Sequence, residues 1–222
     1  MYLLKMNEAV ERILISKDWI TIVLLVIIGL LIFNRTKHLV RFKSFQSILY
    51  NNNYINNYAK ATPLLLNAFN VTFIFIIVLV ISLLLFVIIG LSNVTFSIHN
   101  KGLFVLIIFY VFCFVIIRFF VGLLLAFLFE KEKEQHYFTF IKLSYLSHFS
   151  LLILPLLIIN FYINISYFSH FLLILAALLL LFYYFLQIKN NQKLVFNKLF
   201  YFILYLCALE ISPFIIIYKL II

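Results

Sequence analysis

FNVTFIFIIVLVISLLLFVIIGL, residues 69–91, contains no Asp, Glu, Lys or Arg. The run is longer than the roughly 20 apolar residues a helix needs to cross the hydrocarbon core of a bilayer. It also lacks the alternation of polar and apolar residues that a membrane barrel strand carries. Backbone amides find no water at that depth, so a continuous apolar run must satisfy them within one helix. The stretch reads as a transmembrane helix, and it sets the class of the whole chain.

Comparable blocks lie on both sides of it, at residues 19–33, 103–129, 138–162, 167–187 and 199–222. Of the 222 residues, 67% are hydrophobic and 11% charged, with a mean hydropathy of +1.20. No soluble core needs that much apolar surface. The expected fold is an all-α polytopic membrane protein, a bundle of about six transmembrane helices. Residues 1–18 form a short extramembrane segment, and residues 19–222 form one transmembrane domain. Block 19–33 is the shortest. It is preceded by charged residues and followed by "NRTK" with no small-residue cleavage site, so it reads as a retained helix and not a cleaved signal.

The formal net charge is +10, but the basic residues sit between the apolar blocks, where membrane topology explains them and nucleic acid need not be invoked. Arg35, Lys37, Arg41, Lys43, Lys60, Lys131, Lys133, Lys142, Lys189, Lys193 and Lys198 alternate in side with the sparser Lys5, Arg12, Lys17, Lys101 and Lys219. The positive-inside rule then makes segments 35–62, 130–137 and 188–198 cytoplasmic and both termini periplasmic. Within segment 35–62, Phe42, Phe45 and Leu49 recur at helical spacing beside Arg35, Lys37, Arg41 and Lys43. That is the pattern of an interfacial amphipathic helix over residues 36–50 lying on an anionic leaflet. The Asn-rich residues 51–57 read as loop, and the alternating "EKEKEQ" of 130–135 as a solvated helix end.

Two charges stand at depth. Arg118 lies eleven positions before Phe129, and Glu210 eleven after Leu199. At 1.5 Å per residue both sit roughly 16 Å from the same boundary, near the middle of a core about 30 Å thick. Ionisable groups there are costly, roughly 2.5–3.5 kcal/mol for Arg even on the lenient insertion scale, so an inward-facing Arg118–Glu210 pair is expected. Gly122 and Ala126 follow Arg118 at steps of four and permit close helix approach. His148, ten residues past Phe138, falls at a comparable depth, completing an expected intramembrane polar cluster of Arg118, His148 and Glu210. Pro155 and Pro213 each remove a helical donor and mark expected kinks.

Other candidates carry less. Cys113 and Cys207 show no metal or redox spacing, His99 and His170 are isolated near helix ends, and four glycines leave no phosphate-cradling loop. No catalytic residue, metal site or cofactor is expected. Partners are the lipid bilayer, envelope proteins or a second copy of the chain.

The terminal "YLCALEISPFIIIYK" resembles the C-terminal signature of an uncharacterised bacterial inner-membrane family, domain-of-unknown-function family 4271, through Leu209, Glu210, Ile211 and Pro213 followed by Lys219. The resemblance implies a Gram-negative inner-membrane protein and supplies no reaction. The leading reading is a non-enzymatic assembly or accessory subunit of an envelope system. The alternative is a secondary transporter or proton-coupled carrier using Glu210, Arg118 and His148 in a polar cavity. An enzyme acting on lipid or isoprenoid would need acid/base or metal residues near an interface, where the candidates do not gather.

The charge asymmetry makes a direct prediction. In whole cells, an impermeant thiol reagent should label Lys101→Cys, and should reach Lys60→Cys only after permeabilisation; the reverse pattern would invert the topology.

Overall fold

The computed structural model describes residues 18–48, 53–59, 67–91, 100–130, 132–163 and 166–190. Among them the chain forms α1 (Asp18–Lys37), α2 (Leu39–Gln46), α3 (Asn53–Tyr58), α4 (Ala68–Leu91), α5 (Asn100–Leu128), α6 (Glu132–Ile163) and α7 (Ser166–Asn190). The fold is all-helical, and α1, α4, α5, α6 and α7 are long and apolar enough to span a membrane. The sixth expected span, with Cys207, Glu210 and Pro213, lies outside the described residues, as do His99 and Lys60.

The observed helices outrun the apolar blocks where polar residues continue them. α1 extends through Arg35 and Lys37, and α6 begins at Glu132 instead of residue 138. Glu, Lys and Gln are good helix formers, so a helix leaving the membrane need not stop at its edge. α5 ends where Glu130 turns to a left-handed backbone with φ 51°. A non-glycine residue in that conformation costs about 1–2 kcal/mol, and it reverses the chain into α6 within a few residues. α6 continues helically through Pro155.

The five long helices alternate in direction. At one end, Trp19 of α1 packs against Phe86 of α4 and Phe104 of α5, with ring centroids 5.3 and 4.8 Å away. Nearby, the Thr21 and Tyr162 hydroxyls are hydrogen-bonded at 2.8 Å, joining α1 to the end of α6. At the other end, Asn34 of α1 meets Thr72 in the first turns of α4. α4 and α6 are the central pair: 44% and 50% of their spans are buried, against 17% for α5 and α7. The peripheral helices turn residues such as Phe109, Phe120, Leu181 and Phe185 outward, as the lipid-facing surface of a bundle requires.

α2 and α3 fold back onto the bundle end and join its core. Phe42, Phe45 and Ile48 of the α2 segment, with Tyr54 and Ile55 of α3, belong to the same buried cluster as Phe69, Phe73, Phe140 and Phe149. A helix forms over part of 36–50; its aromatic stripe faces protein, while Leu39 and Val40 face outward. Arg35, Lys37 and Lys43 are exposed, whereas Arg41 is buried. The physical reason is packing. The Phe45 ring has Tyr54, Phe69, Phe73 and His148 within 4.9–6.0 Å, a density of contact that fluid lipid does not supply.

Phe45 is 1% exposed and Phe185 is 64% exposed. Phe45→Ala should therefore destabilise the protein by about 3–5 kcal/mol through the cavity it leaves. Phe185→Ala, which faces lipid or detergent in both states, should change stability by less than about 1 kcal/mol. Unfolding in mixed micelles by titration with a denaturing detergent measures both.

Candidate functional site: a buried polar junction

The polar side chains that sit inside the bundle gather where α2 and α3 cap α4, α6 and α7. Arg41 is at the centre. It is 9% exposed, and its guanidinium donates to Asn70 Oδ1 at 3.0 Å. The same group lies over three rings, Phe69 at 4.6 Å, Tyr58 at 4.9 Å and Tyr54 at 5.9 Å. Tyr54 and Tyr58 are four residues apart on α3, so one helical face presents both rings, while Phe69 and Asn70 open α4. The Arg41 Nε–H has no acceptor among the described residues. Among the described residues the guanidinium is held by ring quadrupoles and a neutral amide acceptor in place of a carboxylate.

Tyr54 couples this centre to α6. Its hydroxyl lies near the Arg41 guanidinium and the Ser144 hydroxyl. Burial pushes the phenol above its ordinary range, and the adjacent Arg41 charge pulls it back only in part. Tyr54 thus remains neutral and can both donate and accept.

A second centre lies beside it. His148 Nδ1 and the Tyr183 hydroxyl are 2.7 Å apart, linking α6 to α7. The His148 ring packs on Phe45 at 5.8 Å and lies near the Gln46 backbone, so one side chain touches α2, α6 and α7. Lys142 is buried with its Nζ 5.4 Å from the Tyr184 ring centroid. Lys142, Tyr145, Leu146, Leu180, Tyr183, Tyr184 and Gln187 line a cleft of about 10 Å³, room for about one water.

A third pair is Asn34 and Thr72. The Thr72 hydroxyl lies within reach of three acceptors, Asn34 Oδ1 at 2.7 Å, Phe69 O at 2.9 Å and Ala68 O at 3.0 Å, but it has one proton. Asn34 Nδ2 lacks an acceptor in this orientation. Turning the amide over places Nδ2 on the Thr72 oxygen and frees the hydroxyl proton for a backbone carbonyl, which satisfies both groups. Ser82, Ser144, Ser147 and Ser150 instead return their hydroxyl protons to the carbonyl four residues earlier in their own helices, at 2.7–3.0 Å. Such bonds satisfy a hydroxyl where no water is present.

The model of the family described as Domain of unknown function (DUF4271) matches residues 20–221, nearly the whole chain. The chain belongs to this family. The terminal motif that carried the resemblance is thus one part of a match that also contains the entire junction from Asn34 to Tyr183. No curated protein and no solved structure matches this DUF4271 chain.

Among the residues singled out in sequence, His148 is buried, and its ring is taken up by Tyr183, Phe45 and Gln46 instead of being turned to Arg118. Counted from the observed start of α6 at Glu132, His148 is sixteen residues along, whereas Arg118 is ten residues from the end of α5. The two stand roughly 9 Å apart in rise from the α5–α6 turn. Arg118 is half-buried; Gly122 and Ala126, on the same stripe, are buried. The residue expected to face them, Glu210, lies outside the described residues. Asn70 and Tyr54 were not singled out in sequence. The available signals were an Asn just inside an apolar block and two tyrosines at a spacing of four in an otherwise Asn-rich stretch.

A double-mutant cycle tests the central contact. Asn70→Leu leaves a buried charged donor unpaired and should cost about 2–3 kcal/mol. Arg41→Met removes the charge and should be milder than Arg41→Lys, which keeps the charge but loses the planar stack. The Arg41→Met/Asn70→Leu protein should lose less than the sum of its single changes, as read by thermal unfolding in detergent.

Proposed function

We propose that this protein is a non-enzymatic integral protein of the bacterial inner membrane, an assembly or accessory subunit of an envelope system. The bundle end carrying α2 and α3 is cytoplasmic and both termini are periplasmic. The observation that carries this reading is the disposition of the buried polar groups. Arg41 is committed to Asn70 and three rings, His148 to Tyr183 and the Phe45 ring, Asn34 to Thr72, and the serines to their own helices. Groups spent on one another fix helix register and leave little to bind a solute, and the cleft beside them admits about one water. The positive-inside rule supplies the orientation.

In this reading Arg118 and Glu210 form a mid-membrane ion pair that sets the arrangement of the bundle, with Gly122 and Ala126 permitting close approach. Removing one partner of a buried pair costs about 3–5 kcal/mol, because the other charge is left uncompensated, while removing both is much milder. Arg118→Gln and Glu210→Gln should each lower thermal stability and yield, and the double variant should recover most of the loss. Additive losses would remove the pair. Unchanged stability with lost cellular function would move the assignment to a proton-coupled carrier in which Glu210 is accessible to water.

A further inference from the structure

The outer face of the α1–α2 elbow has a chemistry that the packing of the bundle does not use. Arg35 and Lys37 at the end of α1 and Lys43 on α2 are exposed. Between them Leu39 and Val40 are 62% and 73% exposed, although the inner face of the same short helix is filled by Phe42 and Phe45. Leu39 and Lys43 are four residues apart and Val40 and Lys43 three, so α2 presents apolar and cationic groups side by side. There is no Asp or Glu anywhere from Trp19 to Phe129. Arg41, behind this face, adds a charge with no carboxylate partner among the described residues. The exposed acids at the same end, Glu130 and Glu132, belong to the α5–α6 turn.

We propose that this elbow is a binding surface for anionic phospholipid, with the headgroup phosphate against Arg35, Lys37 and Lys43 and the upper acyl chain against Leu39 and Val40. The position fits that occupant. The elbow is continuous with the end of a membrane span, so it lies at the depth where glycerol and phosphate meet the first methylenes. Long basic side chains there keep their heads in the polar layer while their stems cover apolar surface. The Arg41 charge behind the face adds to the attraction that the three exposed cations exert on a phosphate. The surface differs from the one the aromatic stripe suggests. The stripe holds α2 to the protein, and the opposite face meets the lipid.

The full chain in neutral detergent should be titrated with phosphatidylglycerol or with phosphatidylcholine while thermal unfolding is followed. Phosphatidylglycerol should give the larger rise in melting temperature at low salt, and the difference should shrink at high salt. Each Lys or Arg beside an anionic surface contributes about a five-fold gain in affinity, so Arg35→Gln/Lys37→Gln/Lys43→Gln should raise the phosphatidylglycerol concentration at half-effect by about 100-fold. The phosphatidylcholine response of this variant should match that of the unaltered protein, which shows that it is folded. Lys101→Gln, exposed at the opposite end of the bundle, should leave both responses unchanged. Equal responses to the two lipids, or an unshifted titration in the triple variant, would overturn the assignment. So would a triple variant that keeps its lipid preference but loses a protein that otherwise co-purifies from native membranes, which would give the face to a protein partner.

Discussion

A single guanidinium ties the extramembrane cap to the spans. Arg41 reaches from α2 to Asn70 at the start of α4 and lies against rings from α3 and α4, so three elements are fixed by one side chain. The seating of α2 then determines where the Phe45 ring lies, and that is what His148 packs on. Moving Arg41 would loosen contacts on α6 and α7 that it never touches. This dependence follows from the scarcity of water. Each polar group at this end must find its partner in protein, and every partner is also a constraint on the element that carries it.

Both ends of the bundle use that economy in different ways. The Thr21–Tyr162 and Asn160–Ser169 hydrogen bonds fasten α1 to α6 and α6 to α7 at one end, with the Trp19 aromatic group beside them. The other end has charge and imidazole. Between the ends the contacts are almost wholly apolar, and those alone allow a helix to rotate or slide at small cost, since lipid tails are as apolar as the neighbouring side chains. Hydrogen bonds near each end remove that freedom, which is how a bundle with so few polar residues can hold one arrangement.

The spans were legible in the sequence because the need to bury backbone polar groups leaves a long apolar run only one structure to adopt. Residues 69–91 and 167–187 come within a few residues of α4 and α7. The direction of α2 was not legible. A stripe of Phe42 and Phe45 specifies a face, but a membrane protein offers that face two apolar surroundings, lipid and the bundle interior, and periodicity does not distinguish them. Arg41 sits on the flank of the same stripe, so its surroundings changed with it. His148 was legible as a buried polar residue that needs a partner. Its partner, Tyr183, depended on the rotation of α7, which nothing local to either residue encodes. The depth of His148 also shifted because charged residues at 132–137 continue α6 beyond the apolar block from which the depth was counted.

The central helix α6 is the least apolar of the five spans and yet half of its span is buried, whereas α4 is the most apolar and is already in the chain when α6 is made. Lys142, Ser144, Ser147, His148 and Ser150 are clustered on α6, and on its own this segment would enter lipid poorly. Its largest apolar partner, α4, precedes it in synthesis, while its imidazole partner, Tyr183 on α7, follows it. In order of synthesis, then, the apolar partner of α6 is present before it, and the hydroxyl that satisfies His148 arrives only with α7.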